Sequence, residues 1–210
     1  MPPKPKYTRE QIVDAAYELV KESGIDALAA RTLGKKLGTS SSPIFTFFSG
    51  MDELKDEVTI KARLYFREYI NGIFEYEMAF KEFGMRHIRF AKEEPSLYRL
   101  IFLSSDKALY DVFDIEFSDV LEGVLKEICS TFGISEDDAK ALFNNMLVYA
   151  NGIAAFCIND VGVFSEEFIS KQISNVCISL VNTIKIRDGS FNINQARAMA
   201  MAPPVIPEKK

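Results

Sequence analysis

The segment GIDALAARTLGKKLGTSSSPIFTFFSGMDEL, residues 24 to 54, constrains this chain more than any other stretch. Ala30, Leu33 and Leu37 recur at helical spacing and give a short helix one apolar face. Gly34 stands beside that stripe, where a missing side chain admits a close neighbour. Gly38 follows Leu37 directly, and a glycine there takes the left-handed conformation that ends a helix and turns the chain. Thr39 or Ser40 then offers an N-cap oxygen, and Pro43 suits the first turn of a second short helix. Ile44, Phe47 and Phe48 form the inward face of that helix, which leaves Ser41, Ser42, Pro43, Phe45 and Thr46 for its outward face. Two short helices at a glycine corner make a helix-turn-helix, which presents a helix end to a DNA major groove. An ordinary helical corner in a bundle is the plainer alternative for this segment taken alone.

The flanking residues favour the first reading. Tyr7 to Glu22 form an amphipathic helix with Ile12, Ala15, Ala16, Leu19 and Val20 on its buried face. Thr8 and Gln11 fit a capping box, and Ser23-Gly24 stops the helix. Asp52 to Glu57 open a long helix with acidic residues near its positive end. From Thr8 to Leu54 the chain resembles the TetR family of transcriptional regulators, in REQIVDAAYELVKESG, ARTLGKKLG and TSSSPIFTFFSGMDEL. The resemblance implies that this chain binds DNA through Thr8, Arg31, Lys35, Lys36, Thr39, Ser40, Ser41, Ser42, Pro43, Phe45, Thr46 and Lys55. Four positions depart from the family's commonest pattern. Ala29 stands where a threonine usually touches phosphate, Phe45 and Thr46 stand for tyrosine and histidine, and Met51 stands for a lysine. Phe45 has no hydroxyl to donate to a phosphate. Phosphate anchoring then rests on Arg31, Lys35, Lys36 and Thr8, with Lys4 and Lys6 of the N-terminal arm and Lys55 one turn beyond Met51. These departures also motivate the alternative of a dimeric helical interaction module with weakened DNA binding.

Charge agrees with a local DNA site on an otherwise acidic protein. Residues 1 to 50 hold seven basic and five acidic side chains, a balance of +2, within a chain of net charge −5. Local positive potential is what DNA binding requires, not a basic whole. A balance so modest calls for two copies acting together.

The 210 residues divide into a DNA-binding domain at 1–54, a helical domain at 55–187 and a flexible tail at 188–210. The fold class is all-α, since apolar residues follow a helical period throughout. The pattern predicts helices over residues 51–76, 78–92, 96–103, from about 107 to 131, 135–159 and 165–186. The segments EEPSLYRLIFL (Glu93 to Leu103) and YANGIAAF (Tyr149 to Phe156) look like a C-terminal domain type common in the same family. That likeness implies an effector pocket among the middle helices and a homodimer through the last two long helices. The residues themselves point the same way: the segments 135–159 and 165–186 carry apolar surface on more than one side, with small Ala150, Gly152, Ala154 and Ala155 available for close helix contact. His87, Phe90, Tyr98, Phe102, Phe113, Phe117, Met146 and Tyr149 are the candidate wall of a cavity for a hydrophobic or aromatic molecule, with Arg86, Arg89 and Asn145 as further polar anchors. Each ring taken singly is as well explained as core.

Catalysis finds little footing. One histidine cannot build a multi-histidine metal site, and no phosphate loop or nucleophile elbow is present. No cofactor is expected. Cys129, Cys157 and Cys177 are widely spaced in apolar stripes and read as free buried thiols in a reducing cytoplasm. No signal peptide and no apolar span of membrane length are read in the sequence, so a cytoplasmic protein with no membrane partner is expected.

Overall fold

A computed structural model describes residues 7–103, 117–161 and 164–189. Nine α-helices and no strand occur among them. Phe113, Lys4, Lys6 and residues 190–210 of the tail lie outside the described residues.

Helix α1 (Arg9–Ser23) starts as its sequence dictates. The Thr8 hydroxyl accepts the Gln11 N–H, and the Gln11 side chain accepts the Thr8 N–H at 2.9 Å. Ile12, Val13, Ala16, Tyr17, Leu19 and Val20 are buried, and Gly24, at φ 81°, ends the helix. Helices α2 (Ala30–Lys36) and α3 (Ser42–Phe47) meet at Gly38, whose φ of 65° is the left-handed turn expected. Gly34 admits the turn itself and not a neighbouring helix. A Cβ built on it would lie 3.0 Å from the Ser40 carbonyl carbon and 3.1 Å from the Thr39 oxygen. Neither Thr39 nor Ser41 caps α3 through its side chain; the Ser40 hydroxyl accepts the Ser42 N–H at 3.4 Å.

Helix α4 (Met51–Tyr69) buries Leu54, Val58, Ala62 and Phe66, one residue per turn along a single stripe. It stops seven residues short of the expected Tyr76. The Asn71-Gly72 pair breaks it, Gly72 adopting φ 78°, and a single 3₁₀ turn at Ile73–Glu75 follows. Helix α5 (Ala79–Glu93) is capped from a distance: the Glu127 carboxylate accepts the N–H groups of Ala79 and Phe80 at 2.8 and 2.7 Å. Pro95 opens the short α6 (Pro95–Tyr98), which runs on as a wide π turn at Arg99–Leu103. Helix α7 (Ser118–Phe132) ends at the left-handed Gly133. Ser135 and Ser165 cap α8 (Glu136–Ile158) and α9 (Glu166–Arg187).

The larger core lies where α5 crosses α8, flanked by α7 and α9. Phe66 of α4 packs into it, with the rings of Phe90, Phe102 and Phe117 centred 4.9, 5.1 and 5.7 Å away. Helix α8 is long and apolar enough to cross a membrane by length and composition, which the sequence reading had excluded. In the fold it packs between α5, α7 and α9, which buries part of its apolar surface and leaves Val148 and Phe156 exposed.

Candidate functional site

The face formed by α2 and α3 is held rigidly from behind. The Tyr7 hydroxyl donates to the Leu37 carbonyl, tying the start of α1 to the end of α2. Arg9 bridges Glu53 at 3.1 Å and Glu57 at 3.0 Å on α4 and lies 4.7 Å over the Phe48 ring. Glu53 in turn accepts the Ser49 N–H at 2.7 Å and the Ser49 hydroxyl at 2.9 Å. Those Ser49 bonds, with help from Arg9, hold the Glu53 carboxyl below its ordinary range. One carboxylate thus fixes α1, the exit of α3 and the start of α4 together.

In front, Arg31, Lys35, Ser40, Ser42, Phe45 and Thr46 are exposed, while Thr39, Ser41 and Pro43 are half-buried. Arg31 and Lys35 have no ion-pair partner among the described residues. Other expected cations are engaged within the protein. Lys36 pairs with Glu22 on α1 at 2.8 Å, and Lys55 with Asp52 at 3.2 Å. The Thr46 hydroxyl donates to the Ser42 carbonyl at 3.3 Å, which leaves its oxygen and methyl group outward. The Thr8 hydroxyl oxygen accepts in the capping box, a role that leaves its O–H proton to donate outward. Phe45 is 51 % exposed, an aromatic ring standing on an otherwise hydroxyl-lined face.

A second feature lies in the C-terminal part. A cavity of about 140 Å³ opens between α5, α8 and α9, walled chiefly by Phe80, Phe83, Phe143, Met146, Ile173 and Cys177. Of the cavity residues read from the sequence, His87 and Met146 line it. Phe90, Tyr98, Phe102 and Phe117 do not: they are buried in the cluster around Phe66. Tyr149 is half-buried and lies off the cavity wall. Arg86 is spent on Glu82 at 2.8 Å, Arg89 on Glu166 at 2.8 Å, and the Asn145 amide on the Ala141 carbonyl at 2.8 Å, so none of the three reaches this wall. The lining residues that sequence reasoning missed were partly signalled by Phe80, Phe83 and His87, which share one face of α5 at helical spacing.

His87 is fully buried. Its Nε2 lies 2.8 Å from the Tyr98 hydroxyl and 3.2 Å from the Asn151 Oδ1, and Tyr98 donates to that same Oδ1. Burial pulls the imidazole pKa down from 6.5 to about 4, against the hydrogen bond to Asn151, so the ring is neutral. Burial likewise lifts the Cys177 thiol to about 11, which makes it an inert part of the wall.

The architecture has counterparts among known proteins. A structure from Pseudomonas aeruginosa PAO1, that of a candidate transcriptional regulator, superposes with a TM-score of 0.60 over 86 % of this chain and 93 % of its own, at 16 % identity. That likeness is one of fold. No curated protein matches the chain in sequence. Residues 12–58, which carry the turn at Gly38 and the whole α2–α3 face, match the model of bacterial regulatory proteins of the tetR family. The N-terminal part of the chain is therefore similar to the bacterial regulatory proteins of the tetR family, and it stands on an all-helical body.

Proposed function

We propose that two copies of this chain bind a palindromic operator as a repressor and let go when a small apolar effector enters the cavity between α5, α8 and α9. The observation that carries the DNA side is the exposed α2–α3 face, with the unpaired cations Arg31 and Lys35 beside Ser40, Ser42, Phe45 and Thr46. The cations would neutralise phosphates, the hydroxyls would bond phosphates and base edges, and Phe45 suits apolar contact with a thymine methyl. Phe45 therefore takes up a reading role in place of a phosphate-anchoring one. In this reading the reader domain is 1–54 and the effector and dimer domain is 55–187.

The dimer reading is supported by apolar stripes that the described chain leaves about half exposed. On α8, Val148 (58 % exposed), Gly152 and Phe156 (50 %) follow one another at four-residue spacing. On α9, Ile178 (54 %) and Ile186 lie two turns apart. Ala150 and Ala154 are buried within the protomer, so among the small residues of α8 it is Gly152 that offers a partner close approach. A two-fold through these stripes would set two α3 helices against successive major grooves, roughly 34 Å apart.

Footprinting on the DNA upstream of the chain's own coding sequence tests the proposal, with Arg31→Ala and Lys35→Ala beside the unaltered protein. A protected palindrome is expected, with each variant lowering the slope of log affinity against log salt by about one. A dimer in solution with no salt-dependent affinity for DNA would favour the interaction-module alternative.

A further inference from the structure

The cavity wall carries a chemical instruction in His87. Three polar residues, Lys81, His87 and Ser174, stand among otherwise apolar or small lining residues, and no carboxylate lines the cavity among the described residues. The hydrogen bonds fix which atoms of the histidine remain available. Asn151 Nδ2 donates to the Leu147 carbonyl at 3.0 Å, so the amide cannot be turned round without setting two oxygens against each other. Asn151 Oδ1 therefore faces both Tyr98 and His87, and it can only accept. A bare lone pair on Nε2 facing that oxygen at 3.2 Å would repel it, so Nε2 carries the proton of the neutral ring. Nδ1 is then an acceptor. It is buried and has no hydrogen-bond partner among the described residues. Buried polar atoms are rarely left in that condition, and each instance calls for a reason.

Ser174 adds a second acceptor. Its hydroxyl proton is spent on the Ser170 carbonyl at 3.0 Å, so toward any further partner it offers only oxygen lone pairs. Lys81 is half-buried and has no ion-pair partner among the described residues. A cationic ligand would meet this lysine with no carboxylate to offset it. The volume of about 140 Å³ matches a single ring, since a cavity of roughly that size in another protein holds benzene.

The geometry points to a non-cationic single-ring or equally compact effector, largely apolar, that carries an O–H or N–H donor, the donor bonding to His87 Nδ1. This inference rests on the reading of the cavity as the effector site.

The full-length protein labelled with ¹⁵N-histidine gives one imidazole, because His87 is the only histidine. Phenol, with its donor, and toluene, the same shape without one, are the probes. In the free protein the spectrum should show a protonated Nε2 and a bare Nδ1. Phenol should move the Nδ1 resonance toward hydrogen-bonded values and leave Nε2 near its place, while toluene should leave Nδ1 unmoved. By calorimetry phenol should bind about five- to tenfold more tightly than toluene, the worth of one added hydrogen bond. His87→Phe should erase that preference. A free protein protonated at Nδ1 overturns the inference. So does equal binding of the two probes with Nδ1 unmoved, an outcome that leaves the cavity standing as an apolar effector site. Binding of neither overturns the inference together with the reading beneath it.

Discussion

Acid should unfold this protein through His87 before it does so through its carboxylates. The imidazole is fully buried, touched by the rings of Phe66, Phe83 and Phe102 and bonded at Nε2 to Tyr98 and Asn151. None of those five groups brings a negative charge to stabilise an imidazolium; burial raises the Tyr98 phenol far above its usual range. In the unfolded chain the ring takes up a proton near 6.5, and in the folded protein only near 4. The unfolded state therefore binds more protons throughout that window, and stability falls as pH falls. At 1.36 kcal/mol per pH unit the loss reaches about 2 kcal/mol by about pH 5 and levels off near 3 kcal/mol below about pH 4. Above about pH 7 the contribution is flat. Glu53, Asp138 and Glu166 are also held below their ordinary values and lose their contributions as pH falls, but starting from the lower carboxylate range. Guanidinium denaturation followed by far-UV circular dichroism suits the assay, because the chain has no tryptophan. Protein concentration must be held fixed, since a dimer's stability depends on it. The comparison is the unaltered protein against His87→Gln, which shares every carboxylate. Their stabilities should converge by about 2 kcal/mol between about pH 7 and pH 5. Parallel curves, or an NMR titration of the lone histidine at its ordinary value, would refute the reasoning.

Four further outcomes follow from packing, backbone geometry and hydrogen bonding. Gly34→Ala drives a methyl group into the backbone of Thr39 and Ser40, and should cost about 1–3 kcal/mol in thermal melts together with loss of DNA binding. Gly38→Ala meets nothing within 4 Å but must hold φ 65°, and should cost only about 1 kcal/mol. Glu127→Ala strips two N–H groups at the start of α5 of their acceptor and should destabilise by about 1–2 kcal/mol in denaturant titrations, with the carboxylate's absence felt at α5 and not at α7. Val148→Glu and Ile178→Glu place charge on the exposed stripes of α8 and α9; sedimentation should show monomers with unchanged helicity, and a dimer in both would reject that interface.

What a short run of residues decides was legible in the sequence. The Thr8 capping box and the left-handed turn at Gly38 are decided by a residue and its near neighbours, and each stands where its spacing placed it; the helices expected over 135–159 and 165–186 also start close to those bounds, at Ser135 and Ser165. Helix content was legible for the same reason, and the N-terminal frame carried the likeness to tetR-family regulators that the match over residues 12–58 repeats. What failed to show needed a partner distant in sequence. The start of α5 has no cap of its own, because its cap is Glu127 from α7. Lys36 looked like a free cation until α1 brought Glu22 to it. The aromatic residues sorted into core and cavity by which helix faced them: Phe90 turns toward Phe66 on α4, whereas Phe83, two turns earlier on α5, turns toward Phe143 on α8.

Glu94 shows how much such distant pairing organises. In the sequence it is only the residue that precedes a proline and ends a helix. In the fold its carboxylate pairs with Lys21 of α1 at 2.7 Å and accepts the Tyr65 hydroxyl of α4 at 3.1 Å, while Lys21 lies over the Tyr65 ring. One short helix, α6, leads from that junction to Tyr98, whose hydroxyl bonds His87 at the cavity wall. The first helix and the cavity wall are therefore linked through α6, by side-chain contacts at Glu94 and at Tyr98 and by the helix backbone between them. A ligand that shifts His87 acts on Tyr98 through their hydrogen bond, and so on a helix whose other end is fastened to α1.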